Sequence, residues 1–302
     1  MSVISTGNHP KALWPGVKAW WGRSYDKLPE EYKMLFDMET SDKAYEEDVQ
    51  VTGFGLAPVK AEGTSVVFDS EVQGYVSRYT HVAYALGYIV TYEELQDNLY
   101  ETVSKRRSEA LAFSMKQTKE IVAANVYNRA FTAGYTFGDG VVLCSASHPT
   151  SSGNQSNILS VAADLSEVAL EDMLVQVMLA KNDKGLRISL MPQSLIVAPS
   201  NWFEANRILK STLQNDTANN AVNVLKAENA IPGGIKMNHY FTDADAWFIR
   251  TNAPRGMVGY QRSPISFDQD NDFNTKNAKA MAYERYSFGV TDWRGLFGSA
   301  GA

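Results

Sequence analysis

Residues 91–131, TYEELQDNLYETVSKRRSEALAFSMKQTKEIVAANVYNRAF, contain neither glycine nor proline. The segment reads as one long helix. Thr91 is the predicted N-cap, and Glu94 three residues on completes a capping box. Glu93 and Glu94 lie in the first turn, where the helix dipole favours acids. Leu95, Leu99, Val103, Leu111, Met115, Val122 and Val126 form the apolar stripe. A straight helix of this length spans about 60 Å at 1.5 Å per residue. A compact globule of this chain length is only about 50 Å across. Either the helix breaks near Asp97-Asn98 or the molecule is elongated, and both outcomes suit a plate-like subunit.

The segments before the helix also resist a compact solution. Residues 1–45 are rich in Trp, Pro, Gly and charge and show no clear period, with a short helical stretch near Glu30–Asp37. Trp14, Trp20 and Trp21 each need on the order of 200 Å² of cover, and the arm is expected to find it on a neighbouring subunit rather than on its own domain. Residues 46–90 read as a β-ribbon. VQVTGFG (49–55) leads in, Leu56–Tyr75 forms the tip, and YTHVAYALGYIV (79–90) leads out. Val82, Tyr84, Leu86, Tyr88 and Val90 share one face by the period of two. The other face, His81 to Ile89, is not polar either. A two-stranded ribbon is marginal alone in water, so it needs a surface to lie on.

Beyond the helix, FGDGVVL (137–143) places an Asp-Gly turn before an apolar strand, and residues 145–157 form a loop. LSEVALEDMLVQVMLAK (165–181) is an amphipathic helix with Leu170, Leu174, Val177 and Met178 on one face. SLIVAPSNWFEANRIL (194–209) reads as a buried strand stopped by Pro199, then a helix. A polar run, Gln214–Asn223, precedes the turn and strands of 231–237 and 246–250. This alternation over 165–262 has the pattern of a compact α/β unit, and the tail is β to about Val290.

Chemistry is sparse. At 302 residues the chain is large enough for about two domains or one large one. It carries 28 Lys+Arg against 34 Asp+Glu, a net charge of −6 and a pI near 5.3, which lacks the positive field of a nucleic-acid or anionic-membrane binder. One cysteine excludes a disulfide framework. No signal peptide, membrane-length apolar run, phosphate-binding glycine loop, HExxH or GxSxG pattern is present. Cys144 with His148 has the makings of a thiolate–imidazole pair, but nothing nearby orients it, and a strand end followed by a loop is the better reading. DQDND (268–272) imitates the start of a calcium loop, yet Phe273 and Lys279 stand where Gly and Glu are required. Lys105-Arg106-Arg107 fan around the helix and are expected to form a solvated face or to pair with an acidic neighbour. No cofactor, metal or catalytic residue is expected. The bottom-up expectation is an elongated, assembly-prone, non-catalytic subunit.

Several phrases, FTAGYTFGDGVVLCSASHPTSSGNQSN (131–157), SLIVAPSNWFEANRIL (194–209), ADAWFIR (244–250) and DWRGLFGS (292–299), resemble those of the major capsid proteins of tailed double-stranded DNA bacteriophages, Mu-like head subunits in particular. The resemblance covers nearly the whole chain. It implies the α+β HK97-type capsid fold: an N-terminal arm (1–45), an extended β-hairpin E-loop (46–90), a spine helix with the P-domain (91–164), a central A-domain (165–262) and a return to the P-domain (263–302). It also implies a structural protein of the virion, assembled in the host cytoplasm into hexamers and pentamers of an icosahedral shell. The shell would enclose double-stranded DNA without sequence-specific binding. Partners would be further copies, a portal and a separate scaffolding protein, with room for decoration proteins and no membrane. The expected inter-subunit contacts are Trp14, Trp20, Trp21, Phe54, Lys60, Val82, Tyr84, Leu86, Tyr88, Trp293 and Arg294. Some members cross-link an E-loop lysine to a neighbour's asparagine; Lys60, Asn277 and Glu284 are the positions to compare, and the spacing of the latter two speaks against it. An encapsulin-type compartment shell and, more remotely, an α/β enzyme using Cys144 are the alternatives.

Overall fold

The computed structural model describes residues 14–96, 100–214 and 221–302. The first half holds α1 (Trp14–Lys27), α2 (Tyr32–Leu35), β1 (Asp37–Thr40), β2 (Tyr45–Val51), β3 (Gln73–Thr80), β4 (Val82–Val90), α3 (Tyr92–Gln96) and α4 (Tyr100–Asn128). The second half holds α5 (Glu167–Met178), β5 (Pro192–Val197), α6 (Trp202–Lys210), α7 (Val224–Ala227), β6 (Ile235–Met237), β7 (Trp247–Thr251), β8 (Met257–Asn271), β9 (Ala278–Val290) and β10 (Leu296–Ser299).

Two four-stranded sheets carry the fold. The first has the order β1-β8-β9-β4, with β1 parallel to β8 and the other pairs antiparallel. Its long strands, of 15 and 13 residues, extend about 45 Å. Pro264 lies in β8 just past Gln261, where β1 ends and the outer edge is free. A residue with no N–H is tolerated there, and the register shifts around it. The second sheet, β10-β7-β5-β6, backs onto α5 and α6 through a core of Leu170, Met173, Val177, Leu195, Ile208, Trp247 and Phe297. The connections running between the sheets, 252–256 and 291–295, meet back to back. A methyl group on Gly256 would sit 2.5 Å from the Gly295 Cα, so only glycine fits this contact.

α4 lies along the first sheet for about 43 Å at 1.5 Å per residue. Its inward stripe is Leu111, Ala112, Met115, Lys116, Lys119, Glu120, Ala123, Ala124 and Tyr127, all buried. Three charges in this stripe are paired. Lys116 meets Glu30 at 2.6 Å, and Lys119 meets Glu284 at 2.5 Å and Gln261 at 2.6 Å. Glu120 accepts the Glu31 and Tyr32 amides at 2.9 and 2.8 Å, satisfying the first turn of α2. Val122 and Val126 flank the stripe, half-buried. The Thr91 cap forms, with its hydroxyl accepting the Glu94 amide at 3.4 Å, but the Glu94 carboxylate turns to Arg107 at 2.9 Å instead of closing the box. The expected break at Asp97-Asn98 and the side chains of Leu95, Leu99 and Val103 lie outside the described residues.

The structure corrects several expectations. The arm contains a helix, α1, that packs on α4 of its own chain. Trp21 is buried between Tyr25 and Phe267, with ring centroids 5.2 Å apart on each side. Pro15, Gly16 and Gly22 hid this helix from a propensity reading, but Pro is tolerated in a first turn and burial outweighs the glycines. The exit strand of the ribbon is β3, paired with β2. Residues 82–90 belong instead to the first sheet, paired with β9 along their length. The chain changes partner at His81, a buried residue held by Ser287 at 2.9 Å and Ser41 at 3.1 Å. The apolar run 141–143 forms a single bridge, Thr136 to Val142, rather than a strand. Met178 is half-exposed. The C-terminal return does not stay in the first sheet: β10 crosses to pair with β7 in the second.

Candidate assembly surface

The ribbon supplies the least covered apolar surface of the described residues. β2 and β3 pair from Tyr45↔Thr80 to Val51↔Gln73, and residues 52–72 continue without regular structure. Phe54, Leu56, Val59, Val66, Val67, Phe68 and Val72 are exposed there, Val59 at 99% and Phe68 at 92%. Asp69 ties the tip to itself by accepting the Gly55 and Ser70 amides at 2.7 and 2.8 Å. Those backbone donors, with Lys184 at 3.6 Å, hold its carboxyl below the ordinary range.

The base of the ribbon stands on the Gly138-Asp139-Gly140 turn. A methyl group on Gly138 would meet Ser77 Oγ at 2.5 Å, the Tyr75 ring at 2.8 Å and the Val76 carbonyl at 3.1 Å. Gly140 has φ +82°, a left-handed conformation natural to glycine. Asp139 accepts the Val141 amide at 3.1 Å and lies 2.6 Å from His148 Nδ1. His148 and Asn157 are buried, and the imidazole lies flat on the Trp293 indole, 4.3 Å away and 4° from parallel.

The sequence-predicted contact residues separate into distinct groups. Phe54 and Lys60 lie exposed in the tip, and Val82 and Leu86 are half-exposed on the edge strand β4. Tyr84 and Tyr88 turn toward the chain's own core, Tyr84 stacking on Tyr286 at 4.7 Å. Trp21, Trp293 and Arg294 are buried within the chain, which removes them from any surface. Arg294 bonds Asp183 at 2.7 Å, Asp292 at 3.2 Å and the Lys181 carbonyl at 2.8 Å. The side chains of Trp14 and Trp20 lie outside the described residues. Sequence reasoning missed the exposed Ile89 and Met281 on the outer face of the first sheet, where Gly87, Ile89 and Met281 line an open groove of about 610 Å³. Alternation along β9 was the signal that marked Met281 as outward-facing, once its inward partners were known.

No group is armed for catalysis in the positions considered. Cys144 is buried, and burial pushes its thiol well above its ordinary range. His148 spends both ring nitrogens on Asp139 and Asn157. Asp272, the last of the calcium-like run, pairs with Lys279 at 2.7 Å, and the described residues contain no cluster of three or more metal-ligating side chains. Glu284 is engaged by Lys119, and Asn277 accepts the Tyr92 amide at 3.3 Å. No helix of the described residues is long and apolar enough to cross a membrane.

Residues 74–298 match a family model described as phage capsid protein. Among solved structures, a chain from Mycobacterium phage Adephagia is similar at TM-score 0.56 and 10% identity, with 91% of each chain covered. The virus-like particle of Pyrococcus furiosus is similar at TM-score 0.52 and 12% identity, covering 95% of this chain and 99% of that one. The capsid of the native GTA particle is similar at TM-score 0.53 and 11% identity, covering 89% and 88%. No curated protein matches in sequence. At these identities the structures establish the fold, the α+β HK97-type capsid fold, and the encapsulin-type alternative gains no comparable support from a family match. A family match spanning most of the chain, on that fold, establishes that this chain belongs to the phage capsid protein family, as a structural major capsid protein.

Proposed function

We propose that copies of this chain form hexamers and pentamers that close an icosahedral phage shell around double-stranded DNA, with each ribbon lying across an adjacent subunit. The observation that carries this reading is the tip itself. Apolar side chains are worth about 25 cal/mol per Å² removed from water. A segment that exposes Phe54, Leu56, Val59, Val66, Val67 and Phe68 together leaves much of that stabilisation unrealised in the single chain. A second copy offers cover of the same kind at every position of a closed shell, and many weak contacts add through effective concentration. The half-exposed Val82 and Leu86 extend the same apolar character along β4. This reading keeps the division into arm, E-loop, P-domain and A-domain, with the ribbon ending at Thr80 rather than Val90.

The net charge of −6 suits a container wall that does not immobilise its contents. Assembly in the host cytoplasm, a portal and a separate scaffolding protein complete the reading. It is a structural role with no enzymatic step, consistent with the buried, high-pKa Cys144. Replacing residues 54–70 with a short Gly-Asn link tests it. The variant subunit is expected to fold, with circular dichroism unchanged in its helical bands, and to give no closed shells by negative-stain electron microscopy. Intact shells from this variant would overturn the role assigned to the ribbon.

A further inference from the structure

Gly-Asp-Gly and the nearby His-Pro converge with the distant Asp-Trp-Arg-Gly (292–295) on one buried node at the foot of the ribbon. Asn157 has a single consistent orientation there. Its Nδ2 donates to the Leu143 carbonyl at 2.7 Å and the Leu296 carbonyl at 2.9 Å, and its Oδ1 accepts the Ser145 amide at 2.8 Å. That oxygen lies 3.1 Å from His148 Nε2, so the imidazole nitrogen donates. Nδ1 faces the Asp139 carboxylate at 2.6 Å. A ring with acceptors on both nitrogens is fully bonded only as imidazolium. The parallel face of Trp293 is a favourable neighbour for such a cation. The other charges around the node are occupied with one another: Asp183 and Asp292 both pair with Arg294. Burial pushes the Tyr75 hydroxyl up, so it stays neutral.

We propose that the Gly138–Gly140 turn is the seat that sets the direction of the ribbon for assembly, and that His148, protonated on both ring nitrogens, is the pin that locks this seat to the C-terminal segment. The proposal rests on reading the ribbon as the element that spans a neighbour. Gly138 acts through space alone: its φ is not left-handed, yet it has no room for a methyl group against Ser77, Tyr75 and Val76. Asp139 acts through charge and is, among the described residues, the only carboxylate paired with His148. These are positioning residues, because none of them lies on the exposed tip.

The test measures ribbon direction in the full-length chain held dissociated at low concentration. Spin labels at Val49→Cys on β2 and Phe203→Cys on α6 occupy exposed positions, while the buried Cys144 stays unlabelled. The parent chain is expected to show one narrow distance peak. Gly138→Ala shifts the peak by more than its width, and adding Ser77→Ala brings it part of the way back by removing the closest atom. Asp139→Asn, isosteric and therefore informative even where Gly138→Ala fails to fold, broadens the peak. With 15N-labelled histidine, the signal missing from His148→Gln is expected to show a bound proton on each ring nitrogen, one facing Asp139 and one facing Asn157. A peak unmoved by the folded seat variants, or a His148 ring with one protonated nitrogen, overturns the proposal. Tip replacement reads assembly and this experiment reads geometry, so failure of the ribbon's role and failure of the seat are distinguishable.

Discussion

Glu120 sits under two opposing demands. Its carboxylate accepts two backbone amides, which favours the charged form, but burial raises its pKa to about 7, with the neighbouring Glu31 carboxylate adding to the rise and Lys116 opposing it. Glu31 in turn engages His239 at 2.5 Å, so four titratable groups from three segments meet at this junction. A carboxyl whose native pKa exceeds its unfolded value, 4.5, binds more protons folded than unfolded between those two limits. Stability contributed by this group is therefore greatest below about pH 4.5 and declines as pH rises toward about 7. Glu30 works in the opposite sense: against its burial penalty, Lys116 and Lys33 hold its pKa below the ordinary value, so its contribution is lost only in acid. Urea unfolding between pH 4.5 and 7.5 is expected to show a smaller decline in Glu120→Gln than in the parent chain; identical slopes would remove Glu120 as the cause.

At the scale of elements, α1 shows how packing overrides propensity. Gly22 lies mid-helix with nothing within 4 Å of where a methyl group would sit, and its backbone is not left-handed. Gly22→Ala is expected to stabilise the subunit by about 0.5–1 kcal/mol, read as a raised urea midpoint at unchanged slope. A lowered midpoint would show that α1 is not helical there in solution. The elements that were legible in the sequence, α4, α5, the β5–α6 unit, β7 and β9, announce themselves by local periodicity and caps. Those that were not legible depend on distant partners. β3 and β4 follow one another with only His81 between them, and nothing local in the sequence says that one pairs with β2 and the other with β9. The buried charges of α4 carry no local sign of burial, because their partners, Glu30, Glu31 and Glu284, lie 86, 89 and 165 residues away. Trp293 and Arg294, expected as inter-subunit contacts from the family resemblance, fill an interface inside the chain instead. Phe54 and Lys60, expected at inter-subunit contacts, lie exposed in a tip that has no local partner, as such contacts would require.

The whole molecule is woven rather than strung. β1, near the start, and β8 share one sheet, while β10, near the end, crosses into the other. Among the described residues the ribbon tip stands clear of this weave, and protease accessibility follows from that. Trypsin is expected to cut dissociated subunits first at Lys60, exposed within residues 52–72, and to spare Lys116 and Lys119, which are buried. If the tip is covered by a neighbour, the same cut slows sharply in assembled shells; equal rates in both states would count against that cover.

The pinch at Gly256 and Gly295 bears on how a curved wall is made. Two backbones in direct contact leave no slack between the sheets they join, and packed interiors deform little. A tile of this construction answers stress by tilting as a unit. Bending a flat lattice into a closed surface then falls to the seams between tiles, and a single added methyl at either glycine strikes at the tile's stiffness rather than at its edges.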